Sequence, residues 1–393
     1  MVKSHLRFAR NFIFNGKISV TKFATSPSGQ TLAEMLKKIV MNRTFFEYLG
    51  IADMERIHSQ IIAWIFSSDF NALNEKQKID LLEKVFGLQN VQKIKTILTE
   101  AYRIDIIIET DSELIVIENK LKSSQHSDQL TRYVDHFKKS HKIQPKFYFL
   151  TLVEEKVKDN NWKRISYQHI YNCFSSLQLT NNSHAVIFEE YRIYLGKLNS
   201  LLQEFSLNTS KFDMVFLDGK KRKEDKVDFK YQNDHERFIA DNQLETILQK
   251  SFLNSLSQNI TKVESHVMDT RGDALIDFNL EGQIYLNKKA YNTMIELQGN
   301  IIKFAFVISG FKEYNNSKKE WLKDIIPVME DLAKSNPFGY SKCNKPKSKA
   351  YISISKKLNQ NYWHMKFEDL IMMVESEIEN GHKLTESLKA KLK

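Results

Sequence analysis

Apolar positions recur at helical spacing in the first part of the chain. Leu32, Met35, Leu36, Ile39, Val40 and Phe46 fall on one face of a segment from Thr31 to Leu49. Met54, Ile57, Ile61, Ile62 and Ile65 do the same in a helix expected to start near Asp53, its N-cap candidate, and to run to Phe66. A third helix is predicted from Glu75 to Phe86, stopped by Gly87. The period then shortens: Tyr102–Glu109 and Glu113–Lys120 are rich in Ile and Val, and the polar Thr110–Ser112 between them marks a hairpin turn. Beyond it the pattern predicts a helix over 128–139 capped by Ser127, strands at Lys146–Val153 and Lys163–Ser166, and helices over 167–177 and 184–205.

Residues 206–233 include the charged run Asp218–Lys226 and show no clear periodicity, so they are expected to link two domains. The second half opens with a helix over 234–256. Five strands are expected next, at "KVESHVM", "DALIDFNL", "QIYLN", "NTMIEL" and "IIKFAFVI". A helix over 318–334, bent at Pro327, precedes a strand near "AYISIS" and a terminal helix starting near Phe367. The expected organisation is a basic arm at 1–30, a domain at 31–205, a linker at 206–233 and a C-terminal α+β domain at 234–393.

A chain of 393 residues, 42% of them hydrophobic, buries at least one full core. The net charge of +10 and pI near 9.2 suit a polyanionic partner, although a Lys-rich soluble protein would show the same balance. Cys173 and Cys343 are too far apart in sequence to suggest a disulfide framework or zinc cluster, which fits a reducing, cytoplasmic setting. No apolar run approaches the roughly 20 residues of a membrane span. Lys3, Arg7, Arg10, Lys17 and Lys22 precede the first acid, Glu34, with no secretory apolar core among them.

Against this background "VIENKL", Val116–Leu121, is anomalous: a carboxylate and an ammonium interrupt a strand that is otherwise apolar. Side chains alternate along a strand, so Glu118 and Lys120 share a face and Asn119 points to the other. A turn centred on Asp111 sets Asp105 against Ile117 or Glu118 on the neighbouring strand. Two carboxylates that close repel each other and need a cation in an apolar sheet. A hard divalent ion such as Mg²⁺ meets that need, taking carboxylate oxygens, water and substrate phosphate. A solvated Glu–Lys ion pair is the plainer explanation, but the Ile, Val and Leu around these residues argue against a solvated face.

"RIDIIIE…ELIVIENKL" resembles the core of the PD-(D/E)xK nuclease superfamily, whose Asp and D/E-x-K triplet lie on adjacent strands of a mixed sheet. The resemblance implies a restriction-endonuclease-like α/β core. It also implies Asp105 and Glu118 as metal ligands and Lys120 as the catalytic lysine. Asn119 would add its backbone carbonyl, and Mn²⁺ would substitute for Mg²⁺. The Pro of the family name is replaced by Ile104. In "HSDQLTRYVDHF", Gln129 and Tyr133 are four apart and resemble the QxxxY element of RecB-like members. "ERIHSQIIAWIF" resembles the E-x-x-H-S helix of the branch whose strand reads IENK, which implies Glu55 as a further metal carboxylate and His58 as a pocket neighbour. A helix-terminal Glu and a structural His are the ordinary alternatives for those two. Glu100 and Arg103 read as surface charge. The resemblance covers about residues 54–174.

Lys342, Lys345, Lys347 and Lys349, with Tyr351 and Trp363, suggest phosphate contact beside stacking aromatics, although a solvated loop accounts equally for the lysines. Asp273, Asp277, Glu296 and Gln298 form a distant echo of the first motif with Gln in place of Lys, and are read as coincidence. The expectation is a metal-dependent nuclease acting on nucleic acid, DNA rather than RNA, in restriction or phage defence. The alternative is a nucleic-acid-binding or regulatory module with a silent nuclease fold. Assembly as a homodimer or larger homo-oligomer stays open, since no interface is legible in the sequence.

Overall fold

The computed structural model describes residues 43–50, 54–121, 129–140, 144–154, 157, 159–216, 233–270, 273–280, 282–286, 289–308, 320–344 and 351–392. The chain divides into two compact units, Met1–Arg43 and Thr44–Lys393. The basic arm and most of the helix expected over 31–49 belong to the first and lie outside the described residues. The cap candidates Asp53 and Ser127, in the second unit, also lie outside the described residues. Among the described residues, every helix and strand belongs to the second unit.

Its first layer of helices comprises α1 (Phe45–Tyr48), α2 (Glu55–Phe66) and α3 (Glu75–Phe86). Asn74 and Gln77 cap α3 reciprocally, and Gly87 ends it at φ 65°, a left-handed conformation open to glycine without steric penalty. A five-stranded sheet comes next, in the order β1 (Ile94–Ala101), β2 (Ile104–Thr110), β3 (Leu114–Lys120), β4 (Pro145–Thr151) and β5 (Trp162–Ser166). β1, β2 and β3 run antiparallel, while β3, β4 and β5 are parallel. The parallel step between β3 and β4 requires a crossover, which α4 (Gln129–Ser140) supplies. α5 (Tyr167–Phe174) and α6 (Ser183–Leu207) complete this part.

The alternation of β3 sorts its side chains between two cores. Ile115, Ile117 and Leu121 enter the larger one with residues of α2, α3, α5 and α6, including Ile62, Phe86, Ile170 and Tyr191. Leu114 and Val116 enter a smaller cluster with Leu130, Val134 and Phe137 of α4, Phe147 and Phe149 of β4, and Trp162. Glu118 and Lys120 continue the second row, so the fold delivers them to the α4 side.

A second sheet is antiparallel throughout. Its path is β11 (Lys342–Asn344), β12 (Tyr351–Lys357), β10 (Ile301–Ile308), β9 (Lys289–Gln298), β7 (Asp273–Asn279) and β6 (Ser265–Thr270), with β8 (Ile284–Leu286) paired to β9. The helices that go with it are α7 (Asp234–Asp241), α8 (Glu245–Asn259), α9 (Glu320–Ser335) and α10 (Phe367–Lys391). Gly381 brings α10 close to this sheet: a Cβ there would lie 2.9 Å from side-chain atoms of Ile295 and Leu280.

Three features depart from the sequence expectation. β1 has no counterpart in it, because this edge strand buries no residue fully and leaves its hydrophobic positions half-exposed. The helix expected over 234–256 is broken after Asp241, where Gln243 takes φ 50° and Leu244 turns into the core. Of the stretch expected as a linker, residues 217–232 lie outside the described set, but Phe212, Met214, Val215 and Phe216 are buried. One hydrophobic cluster runs through them from the first sheet's helices to the second sheet. Cys173 and Cys343 form no disulfide, and among the described residues no helix is long and apolar enough to cross a membrane.

Candidate active site

The β2–β3 ladder has the register Ile106 to Ile117 and Ile107 to Val116, so residue numbers across it sum to 223 and Asp105 stands level with Glu118. Backbone pairing stops there. The amide of Asn119 donates instead to Asp105 Oδ2 at 2.6 Å. Two residues on, the amide of Leu121 donates to Glu55 Oε1 at 2.9 Å. The end of β3 therefore holds one carboxylate from β2 and another from the N-terminus of α2.

Glu118 and Lys120 form an ion pair, Oε1 to Nζ, at 2.7 Å. Gln129 Nε2 donates to the same Glu118 oxygen at 2.8 Å and to Tyr133 Oη at 2.8 Å. Tyr133 Oη in turn donates to the carbonyl of Arg103 at 2.6 Å. That carbonyl lies in the tight β1–β2 turn, where Glu100, Tyr102 and Arg103 all take φ near 60°. The chain of bonds fixes α4 to the sheet at the level of the acids.

Electrostatics follow from burial. Glu118 is 2% exposed, and its Oε2 is buried without a hydrogen-bond partner. Burial, then the charge of Asp105, pushes its carboxyl up to about 7 against the pull of Lys120. Burial likewise raises Asp105 to about 6, opposed by the Asn119 amide and by Lys120; Glu100 and Glu55 add to the rise. Burial works to lower Lys120, but the charge and hydrogen bond of Glu118, with Glu55 and Asp105, more than offset it. Lys120 is thus held as an ammonium above its ordinary range. The two carboxyls release their protons at higher pH than free acids do, for want of further positive charge.

That environment fits a hard divalent cation. Such an ion takes carboxylate oxygens, and Glu118 offers one with nothing else to bind. Asp105 and Glu118 could hold it as a carboxylate pair; among the described residues no group of three or more His, Cys, Asp and Glu side chains is arranged around a metal position. Glu55, expected as a further ligand, has Oε1 on the Leu121 amide and reaches the site through its charge.

His58, expected in the pocket, lies elsewhere. Its Nδ1 meets Tyr191 Oη at 3.0 Å, and its ring packs among Tyr167, Tyr191 and Tyr194 in the larger core. A partly buried helix face two turns long would equally carry a pocket His and a core His, and here three aromatics claim it. Asn119 does point away from Glu118, as alternation requires, but its side chain has a structural task that sequence spacing did not reveal. Nδ2 donates to the Glu55 carbonyl at 3.1 Å and to Ser59 Oγ at 3.0 Å, and Oδ1 accepts from Tyr167 Oη at 2.7 Å.

Of the C-terminal candidates, Lys342, Tyr351 and Trp363 fall among the described residues. Lys342 is exposed on β11, while Lys345, Lys347 and Lys349 lie outside the described residues. Tyr351 donates to Glu296 Oε2 at 3.3 Å. Trp363 stacks on Phe216 with centroids 4.5 Å apart and donates from Nε1 to Asp213, so its ring is committed to the core.

Residues 43–195 match the family model of the PD-(D/E)XK nuclease superfamily. No curated protein and no solved structure matches the chain.

Proposed function

From the match of residues 43–195 to the PD-(D/E)XK nuclease superfamily, we propose that this protein is a metal-dependent nuclease hydrolysing phosphodiester bonds in DNA. The mixed sheet flanked by helices is the restriction-endonuclease-like core of that family. The observation that carries the reading is the unpartnered Glu118 Oε2, buried beside Asp105 and next to the Lys120 ammonium.

Asp105 and Glu118 would hold a Mg²⁺ or Mn²⁺ ion, which when bound supplies positive charge against the scissile phosphate. This chain's own groups do the rest. Lys120, kept protonated, faces the charge that builds on the phosphate oxygens as water attacks phosphorus and the bond to the leaving oxygen breaks. Gln129 orients the Glu118 carboxylate, and Tyr133 fixes Gln129 from the Arg103 carbonyl. The net charge of +10 draws a polyanion toward this machinery. Restriction or defence against phage suits such an enzyme.

The test is cleavage of plasmid, linear and single-stranded DNA and of RNA, with Mg²⁺ or Mn²⁺, by the wild type and by Glu118→Ala and Lys120→Ala. DNA cleavage that needs the metal and disappears in both variants is expected. Cleavage persisting in both, or RNA cut in preference to every DNA, would overturn the reading.

A further inference from the structure

The second sheet separates its side chains as sharply as the first. Ile276, Leu297, Ile302, Phe304 and Ile354 occupy one face and enter the large core. On the other face the register lines up a polar row. Asp277 of β7 pairs with Glu296 of β9, Glu296 with Lys303 of β10, and Lys303 with Ser355 of β12.

This row brings together the same residue types as the site around Glu118. Lys303 Nζ donates to Glu296 Oε1 and, at 3.0 Å, to Gln298 Oε1. Tyr351 Oη donates to Glu296 Oε2 at 3.3 Å. Asp277 is 8% exposed, and its Oδ1 is buried with no hydrogen-bond partner. Each centre therefore has two carboxylates on adjacent strands, one ammonium bonded to one of them, an amide and a phenol close by, and one orphaned carboxylate oxygen.

A structural ion pair accounts for Glu296 and Lys303 and leaves Asp277 surplus. Burying an acid beside another acid, with one oxygen unsatisfied, is unfavourable unless something else supplies positive charge. We propose that Asp277 and Glu296 are ligands of a second divalent cation, Mg²⁺ or Mn²⁺, independent of the one assigned to Asp105 and Glu118. Two carboxylates with the Gln298 amide oxygen form an all-oxygen donor set of the kind these hard ions take. Lys303 occupies Glu296 in the metal-free protein and yields that oxygen when the ion enters. The motif escapes a scan for E-x-K because the lysine comes from the next strand: Glu296 is followed by Gln298, and the register supplies Lys303 in the lysine's place.

The test counts Mn²⁺ bound per full-length chain from the loss of its free electron paramagnetic resonance signal. The wild type should bind two ions, and Asp105→Asn/Glu118→Gln, with the first centre disabled, should bind one. Adding Asp277→Asn should abolish that remaining binding. Asn is isosteric with Asp and Oδ1 makes no hydrogen bond to lose, so circular dichroism should report an unchanged fold. Lys303→Met in the same double variant removes the competing ammonium and should tighten Mn²⁺ several-fold. Binding of no ion by the double variant, survival of its ion in Asp277→Asn, or unchanged affinity in Lys303→Met would each overturn the proposal. None of these readouts depends on cleavage, so failure of the nuclease reading would leave the result standing.

Discussion

Replacing Asn119 by Ala should cost more stability than any other single polar truncation near the active site. Asn119 is 0% exposed and makes three side-chain hydrogen bonds, to the Glu55 carbonyl, Ser59 Oγ and Tyr167 Oη. At about 0.5–1.5 kcal/mol net apiece, these amount to about 1.5–4.5 kcal/mol. Tyr167 is fully buried, and its hydroxyl would lose the acceptor it has in Asn119, a penalty of about 1–3 kcal/mol that overlaps in part with the first figure. The expected loss is therefore about 3–5 kcal/mol, a large share of the roughly 5–15 kcal/mol typical of a folded domain. Ser59→Ala, which removes one of the three bonds and also the bond from Ser59 Oγ to the Glu55 carbonyl, should lose about 1–3 kcal/mol. Urea unfolding followed by circular dichroism, with the wild-type slope as reference, reads both values. A loss below about 1 kcal/mol in Asn119→Ala would refute the idea that this amide ties β3 to α2 and α5. A loss in Ser59→Ala equal to that in Asn119→Ala would leave nothing for the Asn119 bonds to the Glu55 carbonyl and Tyr167 and refute the additive account.

Other consequences follow from the same geometry. Tyr133→Phe removes the hydroxyl that holds Gln129 against Glu118; cleavage should fall about tenfold, the equivalent of roughly 1.4 kcal/mol, with the melting temperature little changed. An unaltered rate would remove Tyr133 from the site. Because folded Asp105 and Glu118 titrate near 6 and 7, above their ordinary values, the folded chain keeps protons between about pH 4 and 7 that the unfolded chain has released. Stability of the chelator-treated protein should thus fall as pH rises through that window, and Glu118→Gln should flatten the slope; urea midpoints at pH 5 and 7.5 measure it. Gly381→Ala would ordinarily help a helix, but its Cβ would press on the buried Ile295 and Leu280 side chains, so thermal denaturation should show a net loss of about 1–3 kcal/mol. A gain would mean that those two side chains give way freely.

The parts legible in the sequence were those set by strong local rules. The hairpin of β2 and β3 could be placed within two residues because Ile and Val crowd both strands and Thr110–Ser112 can only turn. Alternation then put Glu118 and Lys120 together, and the register put Asp105 level with Glu118. What stayed hidden depends on neighbours distant in sequence. Whether His58 faces a pocket or a core is decided by Tyr167, Tyr191 and Tyr194, more than a hundred residues away. Trp363 looked like a stacking platform until Phe216 covered it. Lys303 could not be assigned to Glu296 without knowing that β9 and β10 pair as they do.

The four residues Glu118–Leu121 show how much one strand end can organise. Successive side chains leave in opposite directions, so Glu118 and Lys120 go to the face of α4 while Asn119 goes to α2 and α5. The amides of the intervening positions are then free, because β2 has already stopped pairing, and they take Asp105 and Glu55 as acceptors. Displacing the register by one residue would exchange every one of these partners and turn the ammonium into the larger core, on the side of Tyr167. The Asn119 hydrogen bonds forbid that slip, since an amide with both donors and its acceptor satisfied fits α2 and Tyr167 only in this register. Asn119, whose side chain touches none of the site's charged groups, thus holds the register in which Asp105, Glu118 and Lys120 come together.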